Sequence, residues 1–133
     1  MTPAQILVVE DNKKNMKLFR DVLQATGYRT LEAMTGEQAV ELATEHSPDL
    51  VLMDIQLPDI DGVEALCRLR ANERTASIPV LAVTAQAMQG DHERFLAAGF
   101  DDYISKPVSI VELVDSVRRC CEGLGRNESG HFR

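Results

Sequence analysis

The sequence has 133 residues, of which 44% are hydrophobic and 26% are charged, a balance typical of one globular domain with its own core. Fourteen basic and 21 acidic residues give a formal net charge of −7. That charge disfavours direct binding of nucleic acid, which needs a basic surface, and we interpret Arg118 and Arg119 as charges near a helix C-terminus. No apolar run approaches the roughly 20 residues of a membrane helix, and no signal-peptide pattern is present. We therefore expect a cytoplasmic protein that is not inserted in a membrane.

The cysteine pattern agrees with a reducing compartment. Three cysteines, two of them adjacent at Cys120 and Cys121, form neither a disulfide framework nor a spaced metal motif. We predict that Cys67 and one of the adjacent pair pack as small hydrophobic residues. A redox-sensing role for Cys120 and Cys121 is the alternative.

The first part of the chain alternates short apolar runs with helical patterns. Residues 5–9 form an apolar run that ends in acid, as a buried strand does. Residues 13–25 carry apolar side chains at helical spacing, and residues 29–33 form a weaker strand candidate. Thr35 and Gln38 then have the spacing of a capping box, which predicts a helix to about His46.

The alternation continues after Pro48. In chain order we predict a strand at 49–53, a turn-rich loop at 56–62, a helix at 63–71, a strand at 78–83, a helix at about 86–98, a short strand at 103–104 and a closing helix at 110–121. The domain is expected to span residues 1–121. Residues 122–133, which are polar and contain glycine, are expected to form a flexible C-terminal tail.

Five strands separated by single helices predict an α/β fold. Because the strands are nearly continuous in apolar residues, we expect a parallel sheet covered on both faces. The predicted architecture is a doubly wound five-stranded sheet of flavodoxin-like type, with strand order 2-1-3-4-5 and helices on both faces. In such folds, sites form at the carboxyl ends of the strands.

Chemically active residues stand at those strand ends. They are Glu10 and Asp11 after the first strand, Asp54 after the third, Thr84 after the fourth and Lys106 after the fifth. Crowded carboxylates repel one another unless a cation intervenes, and Mg²⁺ is the usual divalent ion beside phosphate. We predict Asp11 and Asp54 as direct Mg²⁺ ligands, Glu10 as a ligand through water, and the backbone carbonyl of Gln56 as a further ligand.

This set of residues predicts phosphoryl chemistry. Asp54 would act as the nucleophile that forms an acyl phosphate, while Lys106 neutralises charge on the phosphoryl oxygens. The Thr84 hydroxyl and the Ala85 amide would donate hydrogen bonds to the same group. Taken singly, Asp11 or Thr84 could instead cap a helix and Lys106 could be a solvated lysine. Their common position at one sheet edge favours the functional interpretation.

A set of motifs in the expected order resembles response-regulator receiver domains, over about residues 5–121. The motifs are Glu10-Asp11-Asn12, Leu52-Met53-Asp54-Ile55-Gln56-Leu57-Pro58, Asp61-Gly62, Val83-Thr84-Ala85 and Ile104-Ser105-Lys106-Pro107. More narrowly, Val9 to Asn12, Asn15 to Asp21 and Tyr103 to Pro107 resemble stand-alone single-domain regulators of the DivK type. Those regulators help to control cell division and polarity in some bacteria.

The resemblance implies a role in a two-component phosphorelay. Asp54 would accept phosphate from a phosphohistidine on a sensor histidine kinase or histidine phosphotransfer protein. The chain would catalyse this transfer and its own slow dephosphorylation without being a conventional enzyme. Thr84 would couple the phosphoryl group to a rotating Tyr103, and a downstream protein would bind the fourth helix, fifth strand and fifth helix. The resemblance also favours a cis Lys106–Pro107 bond, which the residues alone leave open.

Two glutamines are candidates for setting the lifetime of the signal. Gln56 lies two residues after Asp54, and Gln86 lies two residues after Thr84. Both amides could reach the path of an attacking water, so we expect them to tune hydrolysis of the acyl phosphate. The alternative is that they are surface residues with no kinetic role.

Other functions fit the sequence less well. A small Mg²⁺-dependent aspartyl phosphatase would carry its nucleophile after the first strand and a second aspartate two residues later, where this chain has Gln56 after Asp54. A flavin or nucleotide carrier would need a phosphate loop after the first strand, and Glu10 and Asp11 there would repel phosphate. A pseudo-receiver that only binds partners is disfavoured by the intact acidic set. The sequence identifies neither the kinase, nor the output target, nor the oligomeric state.

Overall fold

The structure, a computed structural model, describes residues 3–85 and 91–129. Within these ranges five strands alternate with five helices. In chain order they are β1 (Gln5–Val9), α1 (Lys13–Ala25), β2 (Arg29–Ala33), α2 (Gly36–His46), β3 (Leu50–Asp54), α3 (Gly62–Ala71), β4 (Val80–Thr84), α4 (Asp91–Ala98), β5 (Asp102–Ser105) and α5 (Ile110–Ser129). The predicted order of elements is confirmed.

The strands form one fully parallel sheet in the order β2-β1-β3-β4-β5. This is the predicted doubly wound topology. Its register pairs Asp54 with Val83, and Thr84 with Ser105, so the carboxyl ends of β3, β4 and β5 meet at one edge. The three central strands β1, β3 and β4 are almost wholly buried, because helices cover both faces.

Two hydrophobic clusters lie on opposite faces of the sheet. One face packs against α2, α3 and α4, with Leu7 and Phe95 among its buried residues. The other face packs against α1 and α5, where Ile6, Phe19 and Leu113 are buried. Adjacent residues of β1 therefore serve different clusters, as the alternation of side chains along a strand requires.

Local caps start the first three helices. Asn12, Thr35 and Asp61 are the N-caps of α1, α2 and α3, and each side chain accepts a hydrogen bond from the amide three residues later. The predicted capping box at Thr35 is half formed. The Gln38 side chain accepts from the Met34 amide at 2.8 Å and not from the Thr35 amide.

Some predicted boundaries differ from the structure. β3 runs one residue later than predicted because Asp49 lies before it, where its backbone amide and its carboxylate bond Gln5. β4 begins at Val80 because the Ile78 amide closes a turn onto Thr75 and Pro79 has no amide hydrogen. The start predicted for the fourth helix, near residue 86, lies outside the described residues.

The last helix is longer than predicted. Its backbone is helical to Ser129, so the predicted end at Cys121 is too early. Arg118 and Arg119 consequently lie mid-helix and not near a C-terminus, so that interpretation was wrong. They lie 3.5 Å from Asp115 and 3.8 Å from Asp102, respectively. Among the described residues, no helix is both long and apolar enough to cross a membrane.

The three cysteines are free thiols with different environments. Cys67 is exposed on α3, so the prediction that it packs in the core was wrong. Cys120 and Cys121 are partly buried against the cluster under α1 and α5. Burial, together with the nearby Asp102 and Asp101 carboxylates, raises the pKa of Cys120 to about 12. Cys120 therefore packs as a small hydrophobic residue and has little thiolate character.

Candidate functional site

A polar pocket of about 490 Å³ opens at the carboxyl edge of the sheet. Five of the predicted site residues line it, together with Asn12, Asn15, Leu57 and Pro58; the five are Glu10, Asp11, Asp54, Gln56 and Lys106. They come from the ends of β1, β3 and β5, which are far apart in sequence. The fold thus brings together the residues that the parallel topology predicted.

Three carboxylates form the acidic part of the pocket. Glu10 and Asp54 are only 1% and 4% exposed, whereas Asp11 is exposed. One oxygen from each of the three lies within 4.8 Å of the others. The backbone arrangement follows from the sequence, since Asp54 is the last residue of buried β3 and Glu10 directly follows buried β1. Asp11 does not cap α1, because Asn12 does.

Lys106 provides the cation inside this group. Its Nζ lies 3.1 Å from Asp54 Oδ2 and 3.3 Å from Glu10 Oε1. Its backbone amide donates to the Thr84 carbonyl at 2.8 Å, and the Lys106–Pro107 bond is cis. The loop after β5 therefore directs the ammonium toward the carboxylates.

The charges in the pocket are only partly balanced. Burial, followed by the neighbouring charge of Asp54, raises the pKa of Glu10, although Lys106 and the Asn12 amide oppose this. Burial alone would lower the pKa of Lys106, but its hydrogen bond and charge interaction with Asp54 and its contact with Glu10 raise it. One ammonium thus faces three carboxylates.

The donor set fits a hard divalent cation. Glu10 Oε2 accepts from the Asn12 amide at 3.2 Å, whereas the buried Oε1 makes no hydrogen bond and has the Lys106 ammonium 3.3 Å away. This oxygen, beside two further carboxylates within one ion's reach, suits Mg²⁺ or a similar ion with oxygen ligands. The residues present therefore fit the predicted metal.

Thr84 and Ala85 lie next to this pocket. Thr84 is the last residue of β4, is 3% exposed and is paired with Ser105 in the sheet. Ala85 is exposed and lines an adjoining cavity that it shares with Lys106 and Pro107. The structure therefore places both residues beside Lys106, at the sheet edge where the sequence predicted them.

The remaining predicted residues are more dispersed. The backbone amide of Gln56 donates to Asp54 Oδ1 at 3.0 Å, while the Gln56 side chain is exposed. Tyr103 is half-buried in β5 and packs on the face covered by α4, with its ring 5.9 Å from that of Phe95. It is not among the residues that line the acidic pocket. Gln86 lies outside the described residues.

Asn12 and Asn15 also belong to the pocket, although the sequence predicted no role for them. Asn12 fixes one oxygen of Glu10 through its amide and caps α1 by accepting from the Asn15 amide at 3.0 Å. Both residues line the pocket. The sequence feature that could have identified Asn12 is its short polar side chain directly before a helical pattern, which is typical of an N-cap.

The chain is similar to known proteins over most of its length. Residues 6–118 match the response regulator receiver domain family. The polar-differentiation response regulators DivK of Brucella anthropi and Brucella ovis are 47% and 49% identical to the chain, over 116 and 113 residues. These alignments cover 87% and 85% of the chain, and 94% and 92% of the two relatives.

Solved structures with the same fold include two receiver domains. One, from a Pseudomonas aeruginosa sensor histidine kinase with a magnesium ion coordinated in its active site cleft, has a TM-score of 0.83 at 39% identity, covering 90% of this chain and 98% of that one. The other, a CheY-like domain from Methanospirillum hungatei, has a TM-score of 0.84 at 26% identity, covering 94% of this chain and 98% of that one.

With its parallel fold, acidic pocket and motif order, the chain belongs to the response-regulator receiver domain family.

Proposed function

We propose that Asp54 accepts a phosphoryl group from a phosphohistidine on a sensor histidine kinase or histidine phosphotransfer protein, and that the chain signals through protein contacts. The observation that carries this proposal is the position of Asp54. It is a buried carboxylate at the mouth of a polar pocket, with a lysine ammonium 3.1 Å from one oxygen and two further carboxylates nearby. A purely structural aspartate would not need such surroundings.

The proposed phosphoryl transfer forms one bond to phosphorus and breaks one. An Asp54 oxygen forms a bond to phosphorus as the bond between phosphorus and the donor imidazole nitrogen breaks, and the imidazole leaves with that electron pair. Glu10, Asp11 and Asp54, with the Gln56 carbonyl, would hold Mg²⁺, which supplies positive charge for the phosphoryl oxygens. Lys106, whose ammonium lies 3.1 Å from Asp54, would contribute a second positive charge.

Thr84 and Ala85 complete the set of donors to the phosphoryl group. Their place at the end of β4, beside the backbone of Lys106, supports hydrogen bonds from the Thr84 hydroxyl and the Ala85 amide. Because Thr84 ends β4 and Ala85 follows it directly, both donors already lie at the edge of the sheet where the phosphoryl group would bind. The chain in this role promotes its own modification and slow dephosphorylation and is not a conventional enzyme.

The signal would leave through α4, β5 and α5. Thr84 pairs directly with Ser105 of β5, which lies two residues after Tyr103, and the Tyr103 ring packs on Phe95 of α4. A change at Thr84 therefore has a short route to this face. Three large apolar side chains of these helices are exposed: Leu96 of α4 at 43%, and Ile110 and Val111 of α5 at 55% and 70%. Such residues suit a protein partner.

The lifetime of the phosphorylated state would depend on Gln56 and Gln86. The Gln56 side chain is exposed and lines the pocket, while the backbone amide of Gln56 is hydrogen-bonded to Asp54. Its carboxamide can therefore lie near the approach of a hydrolytic water. Unchanged dephosphorylation rates in Gln56→Ala and Gln86→Ala would contradict this role.

The names of the relatives support a proposal for the cellular setting. The DivK proteins are named as polar-differentiation regulators, so we place this chain in bacterial control of cell division and polarity. Three free cysteines agree with the cytoplasm.

Incubation of the purified protein with a small phosphodonor and Mg²⁺ tests the proposal. The intact mass should increase by one phosphoryl group in the wild type and in Asp49→Asn, a control at the aspartate just before β3. It should not increase in Asp54→Asn or in the presence of a chelator. Catalytic hydrolysis of the donor without modified protein would favour a phosphatase, and no reaction at all would favour a pseudo-receiver.

A further inference from the structure

The loop that follows Asp54 is fixed to a distant helix. Residues 55–61 connect β3 to α3, and Gln56, Leu57 and Pro58 of this loop line the acidic pocket. The next residue, Asp59, is exposed and is not among the residues that line the pocket. Its two carboxylate oxygens accept hydrogen bonds from the amides of Gly36 at 2.8 Å and Glu37 at 2.9 Å.

These two amides are the first of helix α2. A helix leaves its first amides without internal partners, and its N-terminus carries partial positive charge, so a carboxylate is favoured there. The local cap, Thr35, serves only the amide of Gln38. α2 therefore divides its N-terminal amides between its own cap and a carboxylate more than 20 residues away in sequence.

Ile60, the residue after Asp59, packs closely against Gly36 at the start of α2. A Cβ added to Gly36 would lie 2.5 Å from Ile60 Cγ1 and 3.1 Å from the Ile60 carbonyl oxygen. A larger residue at this position would therefore force the Ile60 side chain to shift. The hydrogen bonds from Glu37 and Gly36 also outweigh the effect of desolvation and lower the pKa of Asp59 to about 2. Asp59 thus accepts both bonds as a carboxylate throughout the ordinary pH range.

The other end of the loop is fixed to the sheet. The Ile55 amide donates to the Val83 carbonyl at 3.0 Å, and the Gly62 amide donates to the Ile55 carbonyl at 2.8 Å. Between these bonds and Asp59 lies the pocket-lining segment 56–58. Its position is consequently set by the sheet on one side and by α2 on the other.

We propose that Asp59 is a positioning residue for the metal pocket, holding residues 56–58 in place through the N-terminus of α2. This role rests on the proposed Mg²⁺-dependent function, because the carbonyl of Gln56 belongs to the loop that Asp59 holds. Asp59 does not contact the cation or the phosphoryl group. Its removal should therefore loosen the loop and weaken Mg²⁺ binding while leaving Asp11, Asp54 and Lys106 intact.

Two variants separate loop positioning from helix capping. Asp59→Ala removes the contact between loop and helix, whereas Thr35→Ala removes an N-cap hydrogen bond from the same helix without touching the loop. In Asp59→Ala the Mg²⁺ dissociation constant, measured by titration calorimetry, should rise about tenfold. It should change less than about twofold in Thr35→Ala, and Asp59→Asn, which keeps one acceptor oxygen, should be intermediate.

A metal-free measurement keeps this inference separate from the proposed function. Hydrogen exchange of the Gln56 and Gly62 amides, neither of which bonds Asp59, should be about tenfold faster in Asp59→Ala and unchanged in Thr35→Ala. Equal effects in the two variants, or no effect in either, would overturn the positioning role. If the wild type bound no Mg²⁺, the proposed function would fail, and the exchange rates would still decide whether Asp59 holds the loop.

Discussion

The Nζ atom of Lys106 lies 3.1 Å from Oδ2 of Asp54, across 52 residues of sequence. The two residues come from strands that are not neighbours, β3 and β5, with β4 between them. The same ammonium is 3.3 Å from Glu10, so it is the counter-ion for two buried carboxylates. This arrangement would supply charge to a phosphoryl group on Asp54, and we expect it also to stabilise the pocket when no metal is bound.

Replacing Lys106 should therefore affect both stability and reactivity. In Lys106→Met, two carboxylates lose their cation, and the metal-free protein should be destabilised by about 2 kcal/mol in urea unfolding. Mg²⁺ should restore more stability to this variant than to the wild type, because it replaces the missing charge. Phosphorylation should be roughly a hundredfold slower. Lys17→Met, at an exposed pair with Asp21, is the control, and equal behaviour of the two variants would contradict this role for Lys106.

Glu10 should make metal-free stability depend on pH. Its pKa in the folded protein is raised above 4.5 by burial and by Asp54, so the folded state binds more protons than the unfolded state. The stability linked to Glu10 is complete below pH 4.5 and is lost as pH rises through the folded pKa. Glu10→Gln removes this loss and should stabilise the metal-free protein at pH 7.5 by on the order of 1 kcal/mol. The gain should disappear near pH 4. A gain independent of pH would count against the explanation.

Two glycines should differ in how strictly they are required. A Cβ on Gly62 would lie 2.8 Å from the Asp54 carbonyl oxygen and 2.8 Å from Ile55 Cα, which are backbone atoms. At Gly36 the nearest atom belongs to the Ile60 side chain, which can move. Gly62→Ala should cost about 3 kcal/mol and Gly36→Ala about 1–2 kcal/mol. Urea unfolding measures both, and the reverse order would contradict the contacts described.

Much of this site was predictable, for a specific reason. Glu10, Asp54, Thr84 and Lys106 each follow or end an apolar run, and parallel strands place such residues at one edge. The contact between Asp59 and α2 was not predictable, since it joins a turn residue to backbone amides that carry no side-chain signal. The exposure of Cys67 was missed because an isolated cysteine in a helix does not reveal which face it occupies.

Cysteine reactivity distinguishes packing from redox sensing. The pKa of Cys120, raised to about 12 by burial and by Asp102 and Asp101, leaves almost no thiolate at pH 7.5. In the native protein, iodoacetamide should label the exposed Cys67 and leave Cys120 unmodified, as read by peptide mass spectrometry. Unfolding in urea should expose both to reaction. Rapid native labelling or oxidation of Cys120 would instead favour the redox-sensing alternative.

Mapping of the modified residue tests most directly whether Asp54 receives the phosphoryl group. After treatment with a phosphodonor and Mg²⁺, borohydride reduces an aspartyl phosphate to homoserine, which peptide sequencing by mass spectrometry locates. We predict homoserine at position 54 alone, and none without the donor. Homoserine at position 11, phosphate on a serine, threonine or histidine, or no modification at all would contradict the assignment of Asp54 as the phosphoacceptor.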